Sequence, residues 1–325
     1  MPNSQPTRRA AMLGSVALGL SLPALRRARA DWPDRPITMI IAYAAGGGTD
    51  IVGRAVARAM EKRLGQSIVV LNRPGAGAEI GFAELARARP DGYTIGFINT
   101  PAVVTVPLER QARFALADFA PIANLVDDPG GFFVVPDSPY RTLADLVAAA
   151  KAQPGALTYG TTGVGSDDHL ASLALQRQAG IELTHVPFAG SSQVRNALVG
   201  RQITIGSMNM GEGTFDARQG LVRALGQMGE RRWQEAPDVP TFREQGFDVV
   251  EGSMRGLAAP AGTPAPVLER LAAAARQSLD DPDFQRVVAQ QLLPMRFLGP
   301  EEFRRELVAL RDHYTALWHQ HPWRE

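Results

Sequence analysis

The sequence predicts a two-lobed α/β fold, and three observations carry that expectation. Apolar runs of strand length alternate with segments of helical periodicity. Several of the strands end in glycine-rich turns that open helices. Two stretches, at 127–131 and 252–259, divide the strand–helix series, and three helices follow the second stretch without strands of their own.

The first series opens with Ile37 to Tyr43, an apolar strand that runs through Ala45-Gly46-Gly47-Gly48 into a helix starting near Asp50. Ile51, Val52, Ala55, Val56 and Ala59 keep helical spacing. Thr49 or Asp50 can cap the helix, since a side-chain oxygen there accepts an orphan amide of the first turn. Such a turn offers free N–H groups and a positive dipole end, which suits a carboxylate or phosphate. A tight strand-to-helix turn with no ligand fits the same residues. Gly48-Thr49-Asp50 lacks the lysine of a P-loop, and Ile51 stands where a dinucleotide fingerprint needs Gly or Ala.

Next come a strand at Ser67 to Leu71, a second glycine loop at Asn72 to Gly77, a helix from Glu79 to Ala88 and a strand from Tyr93 to Asn99. This order implies a parallel sheet covered on both faces. Asp127-Asp128-Pro129-Gly130-Gly131 reads as a polar link crossing to the second series. There the strands are Phe132 to Val135, Leu157 to Gly160, Thr184 to Pro187, Ile203 to Met208 and Val222 to Gln227. The helices are Thr142 to Lys151, Asp168 to Ala179 and Gln193 to Val199, with Thr142 and Asp145 placed as a capping box. After a short strand at Val249 to Glu251, Gly252 to Ala259 crosses back. Helices at about 264–279, 283–291 and 300–318 then cover the first lobe. The expected divisions are 1–30, 31–129 (first lobe), 130–252 (second lobe) and 253–325 (return to the first lobe). Two crossings between two lobes is the layout of a hinged binding protein.

The first thirty residues read as an export signal. Arg8-Arg9 precede an apolar run, and Ala28-Arg29-Ala30 fits a small-x-small cleavage site before Asp31. The run is broken by Gly14, Gly19 and Pro23 and is too short to span a bilayer. Thr7-Arg8-Arg9 resembles a twin-arginine start, and an ordinary secretory signal with two arginines is the alternative. The segment holds five arginines and no acid, so its removal takes the net charge from +1 to −4. A mildly acidic body without a basic run argues against nucleic acid. The chain has no cysteine, so disulfides and thiolate chemistry are excluded.

The second series repeats the opening motif. Thr161-Thr162-Gly163-Val164-Gly165-Ser166 follows a strand and opens a helix at Asp167-Asp168-His169. His185-Val-Pro-Phe188-Ala189-Gly190-Ser191-Ser192 does the same, and the strand ending at Met208 leads into Asn209. Ligands of open α/β sheets lie beyond the carboxyl ends of strands, so these loops face one cleft. His169 and His185 lie inside elements without any metal-ligand spacing and read as structural. Asp167-Asp168 can chelate a cation or act as paired acids, but helix capping accounts for them more simply. No Gly-x-Ser-x-Gly elbow is present. The machinery is that of binding, with no catalytic residue, metal or cofactor expected.

Eight stretches together resemble the Bug-type extracytoplasmic receptors of tripartite tricarboxylate transporters. They are Trp32 to Ile37, Ala45 to Asp50, Asn72 to Gly77, Pro90 to Thr94, Gly163 to Ser166 with His169, His185 to Gly190, Pro237 to Thr241 and Ala258 to Pro264. The resemblance implies a two-lobed periplasmic-binding (type II) fold closing on a small organic acid, with no enzyme activity. It further implies a monomeric periplasmic receptor that hands its solute to integral-membrane transporter subunits. A receptor that presents its solute to a sensor protein, and an exported enzyme using the same cleft, remain alternatives. By position the resemblance carries a carboxylate site onto Tyr43, Ala45, Gly46, Gly47, Gly48 and Thr49. From the second lobe it adds Thr162, Gly163, Gly165, Ser166, Phe188, Ala189, Gly190 and Ser191, and Asn209 at the end of its strand is a further binding candidate. Ser166 is expected to give a hydroxyl, and Gly47, Gly48 and Gly165 close backbone approach. The family's turn carries proline where Ala44 and Gly48 stand, often lysine where Ala189 stands, and commonly an aromatic near Ser253-Met254-Arg255. Arg255 is therefore an added candidate for a second carboxylate.

The signal predicts a mature protein beginning at Asp31 in the periplasm, which mass spectrometry of cell fractions checks. An intact cytoplasmic chain as the main species refutes it. Replacing Arg8-Arg9 by lysines blocks export on the twin-arginine route and leaves it nearly unchanged on the general one.

Overall fold

The computed structural model describes residues 32–323; the signal segment and its cleavage point lie outside them. One ten-stranded sheet runs through the body in the order β2 (Ile68–Asn72), β1 (Ile37–Ile41), β3 (Thr94–Asn99), β9 (Gly252–Pro260), β4 (Phe119–Val134), β7 (Ile205–Asn209), β5 (Thr158–Thr161) and β6 (Thr184–Pro187), with β10 (Met295–Leu298) and β8 (Arg223–Gln227) also paired to β4. Its first part holds β1, β2 and β3, all parallel. Its second part holds β5, β6 and β7, also parallel, with β8 at the side. The helices between these strands are α1 (Gly48–Leu64), α2 (Glu79–Arg87), α3 (Ala102–Glu109), α4 (Leu143–Ala152), α5 (Asp167–Ala179), α6 (Ser191–Val199) and α7 (Met210–Arg218).

The two crossings are strands, not loops. The expected link at 127–131 lies inside β4 (Phe119–Val134), and the return is β9 (Gly252–Pro260). The two pair antiparallel from Phe119↔Pro260 to Pro129↔Gly252. Beyond that point β4 turns to β7 and β8, at Gly130↔Asn209 and Gly131↔Gln227. Polar composition misled the reading because Asp128 is a buried side chain with a specific partner and not a solvated link residue. Among the described residues antiparallel pairing is confined to β4, β9 and the strands that join them, so each half keeps the expected mostly parallel sheet flanked by helices.

The chain closes with α8 (Ala265–Ser278), α9 (Pro282–Gln290), a short β10 (Met295–Leu298) and α10 (Pro300–Gln320). α8 and α9 pack on α1, and α10 packs on α3 and β4, so the returning helices do cover the first part. Two helices were not legible. α3 is built of Val103, Val104, Thr105, Val106 and Pro107, residues of low helix propensity. α7 contains Gly211 and Gly213. Its signal was present all the same: Asn209 and Glu212 stand at capping-box spacing, and Glu212 Oε2 accepts from Asn209 N–H at 3.2 Å. No described helix is long and apolar enough to cross a membrane.

Each half has its own apolar core. In the first, Phe82 meets Tyr43, Phe114 and Phe119 edge-on, at centroid distances of 6.4, 5.4 and 6.4 Å. In the second, Phe132 meets Phe242 edge-on beneath α4 and α5. Phe82 thus supports Tyr43, which leads through Ala44 and Ala45 into the first glycine turn. Phe82→Ala removes a fully buried ring and is expected to cost about 3–5 kcal/mol in urea unfolding.

Candidate functional site

Four helix N-termini converge between the halves: α1 from the first, and α5, α6 and α7 from the second. They surround a cavity with about 20 Å³ of space for water centres, room for about one water molecule. β9 delivers Arg255 and Ser253 to it, and β3 delivers Asn99. The loops around it touch. Ala44 N–H donates to the Ala189 carbonyl at 3.0 Å, and Ser192 Oγ donates to the Ala45 carbonyl at 3.0 Å. A Cβ on Gly163 would stand 3.0 Å from Gly77 Cα, so two glycines meet back to back where side chains would hold the loops apart.

From the expected site residues, Tyr43, Gly47, Gly48 and Thr49 line the cavity, as do Thr162, Ser191, Asn209 and Arg255. Gly46 faces an outer groove of about 350 Å³, which shares Gly47, Gly48, Ser191 and Glu212 with the cavity. The other candidates hold the loops in place. Ala45 and Ala189 supply the carbonyls just described, and Gly190 packs on Ala44. Phe188 packs with the apolar cluster under α6. Ser166 is the N-cap of α5, its Oγ accepting from His169 N–H at 3.2 Å. Gly165 has a positive φ of 77° and faces Thr105, whose Oγ1 donates to the Gly165 carbonyl at 2.6 Å. Ser166 Oγ thus engages the helix start and Gly165 the contact with α3, and neither residue lines the cavity.

Capping of α1 also differs. Gly47 is its N-cap, Asp50 Oδ2 accepts from Gly46 N–H at 2.9 Å, and Thr49 Oγ1 accepts from Asn99 Nδ2 at 2.8 Å. His169 and His185 stack at 4.4 Å beneath the loop. His169 Nδ1 accepts from Gly165 N–H, and burial together with His185 lowers its pKa to about 3. His169 is thus a neutral structural group. Among the described residues no group of three or more His, Asp or Glu is set to hold a metal.

Arg255 organises the charges. It is 1 % exposed, and its Nη2 lies 3.0 Å from Asp128 Oδ2, from Glu212 Oε1 and from Asn209 Oδ1. Glu212 Oε1 also accepts from Ser191 Oγ at 2.8 Å, and Asp128 Oδ1 accepts from Gly211 N–H at 2.8 Å. Asp167 Oδ2 accepts from Asn209 Nδ2 at 2.7 Å, and Asp168 Oδ2 accepts from Thr162 Oγ1 at 3.2 Å. A Cβ on Gly48 would stand 2.6 Å from Arg255 Nη1 and from Glu212 Oε1, so the absent side chain makes room for this pair.

Burial pushes Asp128 up to about 7, against the pull of Arg255. It pushes Asp167 up to about 6, opposed by the Asn209 bond and reinforced by Glu212. Burial and the neighbouring Asp167 raise Asp168 well above the carboxylate range. Burial works against the Arg255 charge too, but Glu212 and Asp128 outweigh it and hold the guanidinium above its usual pKa. Sequence reasoning passed over Asn99, Asp128, Glu212 and Ser253, and read Asp167 as a capping residue. Only the capping-box spacing of Asn209 and Glu212 could have flagged any of them.

Two half-sheets joined by crossing strands, with an enclosed polar cavity between their loops, define a solute-binding protein of the periplasmic type. The chain belongs to the tripartite tricarboxylate transporter receptor family, TctC, whose model matches residues 52–295. The UPF0065 protein in the gbd 5' region of Cupriavidus necator is 34% identical over 89% of this chain and 88% of its own length. The periplasmic binding protein BugD superposes with a TM-score of 0.83 at 29% identity, covering 89% of this chain and 98% of BugD. MatC from Rhodopseudomonas palustris with bound malate has a TM-score of 0.79 at 28% identity, covering 88% and 98%. These families and neighbours are substrate-binding receptors, not enzymes.

Asp167 gives a pH signature. Its carboxyl is raised from the usual value near 4 to about 6, so over that window the folded state holds a proton that the unfolded state releases. Its contribution to stability is full at low pH and is lost as pH rises through about 6. Asp167→Asn does not titrate. It is therefore expected to melt close to the parent below pH ~4 and increasingly above it up to pH ~6, with a constant gain beyond. Thermal melting across pH checks this, and a variant less stable than the parent at every pH refutes it.

Proposed function

We propose that this protein is a periplasmic receptor that captures a small organic acid between its halves and delivers it to the membrane subunits of a tripartite transporter. The observation that carries the reading is Arg255 Nη1, a buried guanidinium nitrogen that lines the cavity and has no hydrogen-bond partner. A donor left so costs free energy that a bound carboxylate recovers. The α1 N-terminus, with Gly48 and Thr49 at the cavity, adds first-turn amides that have no partner within the helix. Malate in MatC supports an organic acid as the solute class.

The cavity is smaller than any such acid, so entry requires the halves to part. The β4–β9 ladder at 127–131 and 252–256 is the proposed hinge, because few other backbone pairings join the halves. The receptor is proposed to act as a monomer.

A thermal-shift screen of short-chain carboxylates on the mature protein is expected to find acids that raise the melting temperature. Calorimetry on the best of them is expected to show at least a tenfold loss of affinity in Arg255→Lys, which keeps the charge but loses the planar fork. Scattering at saturation is expected to show a radius no larger than that of the free protein. A screen in which no carboxylate binds, or an Arg255→Lys protein that is folded and binds unchanged, overturns the reading.

A further inference from the structure

Around Arg255 stand four carboxylates, Asp128, Asp167, Asp168 and Glu212, with side chains no more than 9 % exposed. One guanidinium faces them, in ion pairs with Asp128 and Glu212. A carboxylate solute docked on Arg255 would bring a fifth acid group into this enclosure. The positive ends of four helices soften its charge, but the protein's own acids already occupy several of them: Asp50 at α1, Asp167 and Asp168 at α5, and Glu212 at α7. Glu212 also takes the Ser191 hydroxyl and one Arg255 nitrogen, donors that an incoming anion would use.

Two unpartnered atoms line the same cavity, and they have opposite polarity. Arg255 Nη1 is a buried donor and Asn99 Oδ1 a buried acceptor, their residues 1 % and 4 % exposed. A bare carboxylate answers the donor and leaves the acceptor empty. An ammonium group brings three donors and no acceptor, and its charge offsets the surplus of acid. Asp167, whose carboxyl lines the cavity, is placed to share it with Asn99.

We propose that the solute is zwitterionic, its carboxylate received by Arg255 and a cationic ammonium group received by Asp167 and Asn99. This rests on the receptor function above and narrows its substrate class from organic acids to amino acids and related ammonium acids. The raised pKa values of Asp128 and Asp167 agree with it, since a site that otherwise retains protons gains most from a cation. Asp167 and Asn99 are then the residues that set specificity against the bare acid.

The test is calorimetry with matched pairs that differ only by the amino group: propionate with alanine, succinate with aspartate, glutarate with glutamate, and butyrate with γ-aminobutyrate. At least one amino member is expected to bind tenfold or more tighter than its bare partner, and neutralising the ammonium by N-acetylation is expected to abolish that advantage. Asp167→Asn, which keeps the acceptor for Asn209, is expected to weaken the amino member roughly tenfold while the bare acid binds tighter. Asn99→Ala, confirmed as folded by its melting curve, is expected to reduce the same preference. Bare acids that bind as tightly as their amino partners overturn this inference and leave the receptor for organic acids standing. Failure of every pair overturns both. An amino member preferred equally by the parent and by Asp167→Asn overturns the assignment of the ammonium to Asp167.

Discussion

A guanidinium enclosed with carboxylates is the constraint around which the cleft is built. Arg255 reaches the space between the halves from β9, while Asp128 reaches it from β4, the strand to which β9 is paired. Glu212 arrives from α7 and closes the set from the second half. Removing any one member of such a buried group leaves a charge without a partner, which is far costlier than never having buried it. The strand crossing, the start of α7 and the open face of Gly48 are therefore mutually dependent. Asp128 holds Gly211 at the beginning of α7, Glu212 caps that helix on Asn209, and Gly48 leaves the room that Arg255 and Glu212 fill.

Some of the glycine loops also serve the contact between the two halves. Gly77 and Gly163, and likewise Ala44 and Gly190, bring backbone against backbone across the cleft. Glycine here allows close approach between the two halves, while Gly47 and Gly48 line the cavity beside side chains at the helix starts. Gly165 likewise allows close approach, meeting Thr105 of α3. A seam where backbone meets backbone needs surfaces that fit without large side chains in the way. Small residues and backbone hydrogen bonds meet that need.

Much of the fold was legible because it rests on local signals. The strand-to-helix alternation, the Thr142–Asp145 capping box and the three closing helices follow from apolar period and capping chemistry, and the structure places them within a few residues. α3 and α7 were not legible, since Val103 to Pro107 and Gly211 to Gly213 lower local helix preference and packing overrides it. The long β4 was hidden because Asp127-Asp128-Pro129-Gly130-Gly131 has the composition of a turn. Pairing with β9, β7 and β8, distant in sequence, makes an extended strand of it.

By itself the sequence determined the class of fold, the family and the set of loops that meet at the cleft, because strand–helix order and motif spacing are properties of the chain. It placed Tyr43, Gly47, Gly48, Thr49, Thr162, Ser191, Asn209 and Arg255 in one region, and all eight line the cavity. The tertiary structure decided how those residues are used. Whether an acid is a helix cap or a buried charge depends on what faces it from elsewhere, and Asp128, Asp167, Asp168 and Glu212 come from three separate elements. Their surplus over Arg255, and with it the electrostatic character of the site, arises only when those elements fold onto one another, because charge in a cavity is summed over space and not along the chain.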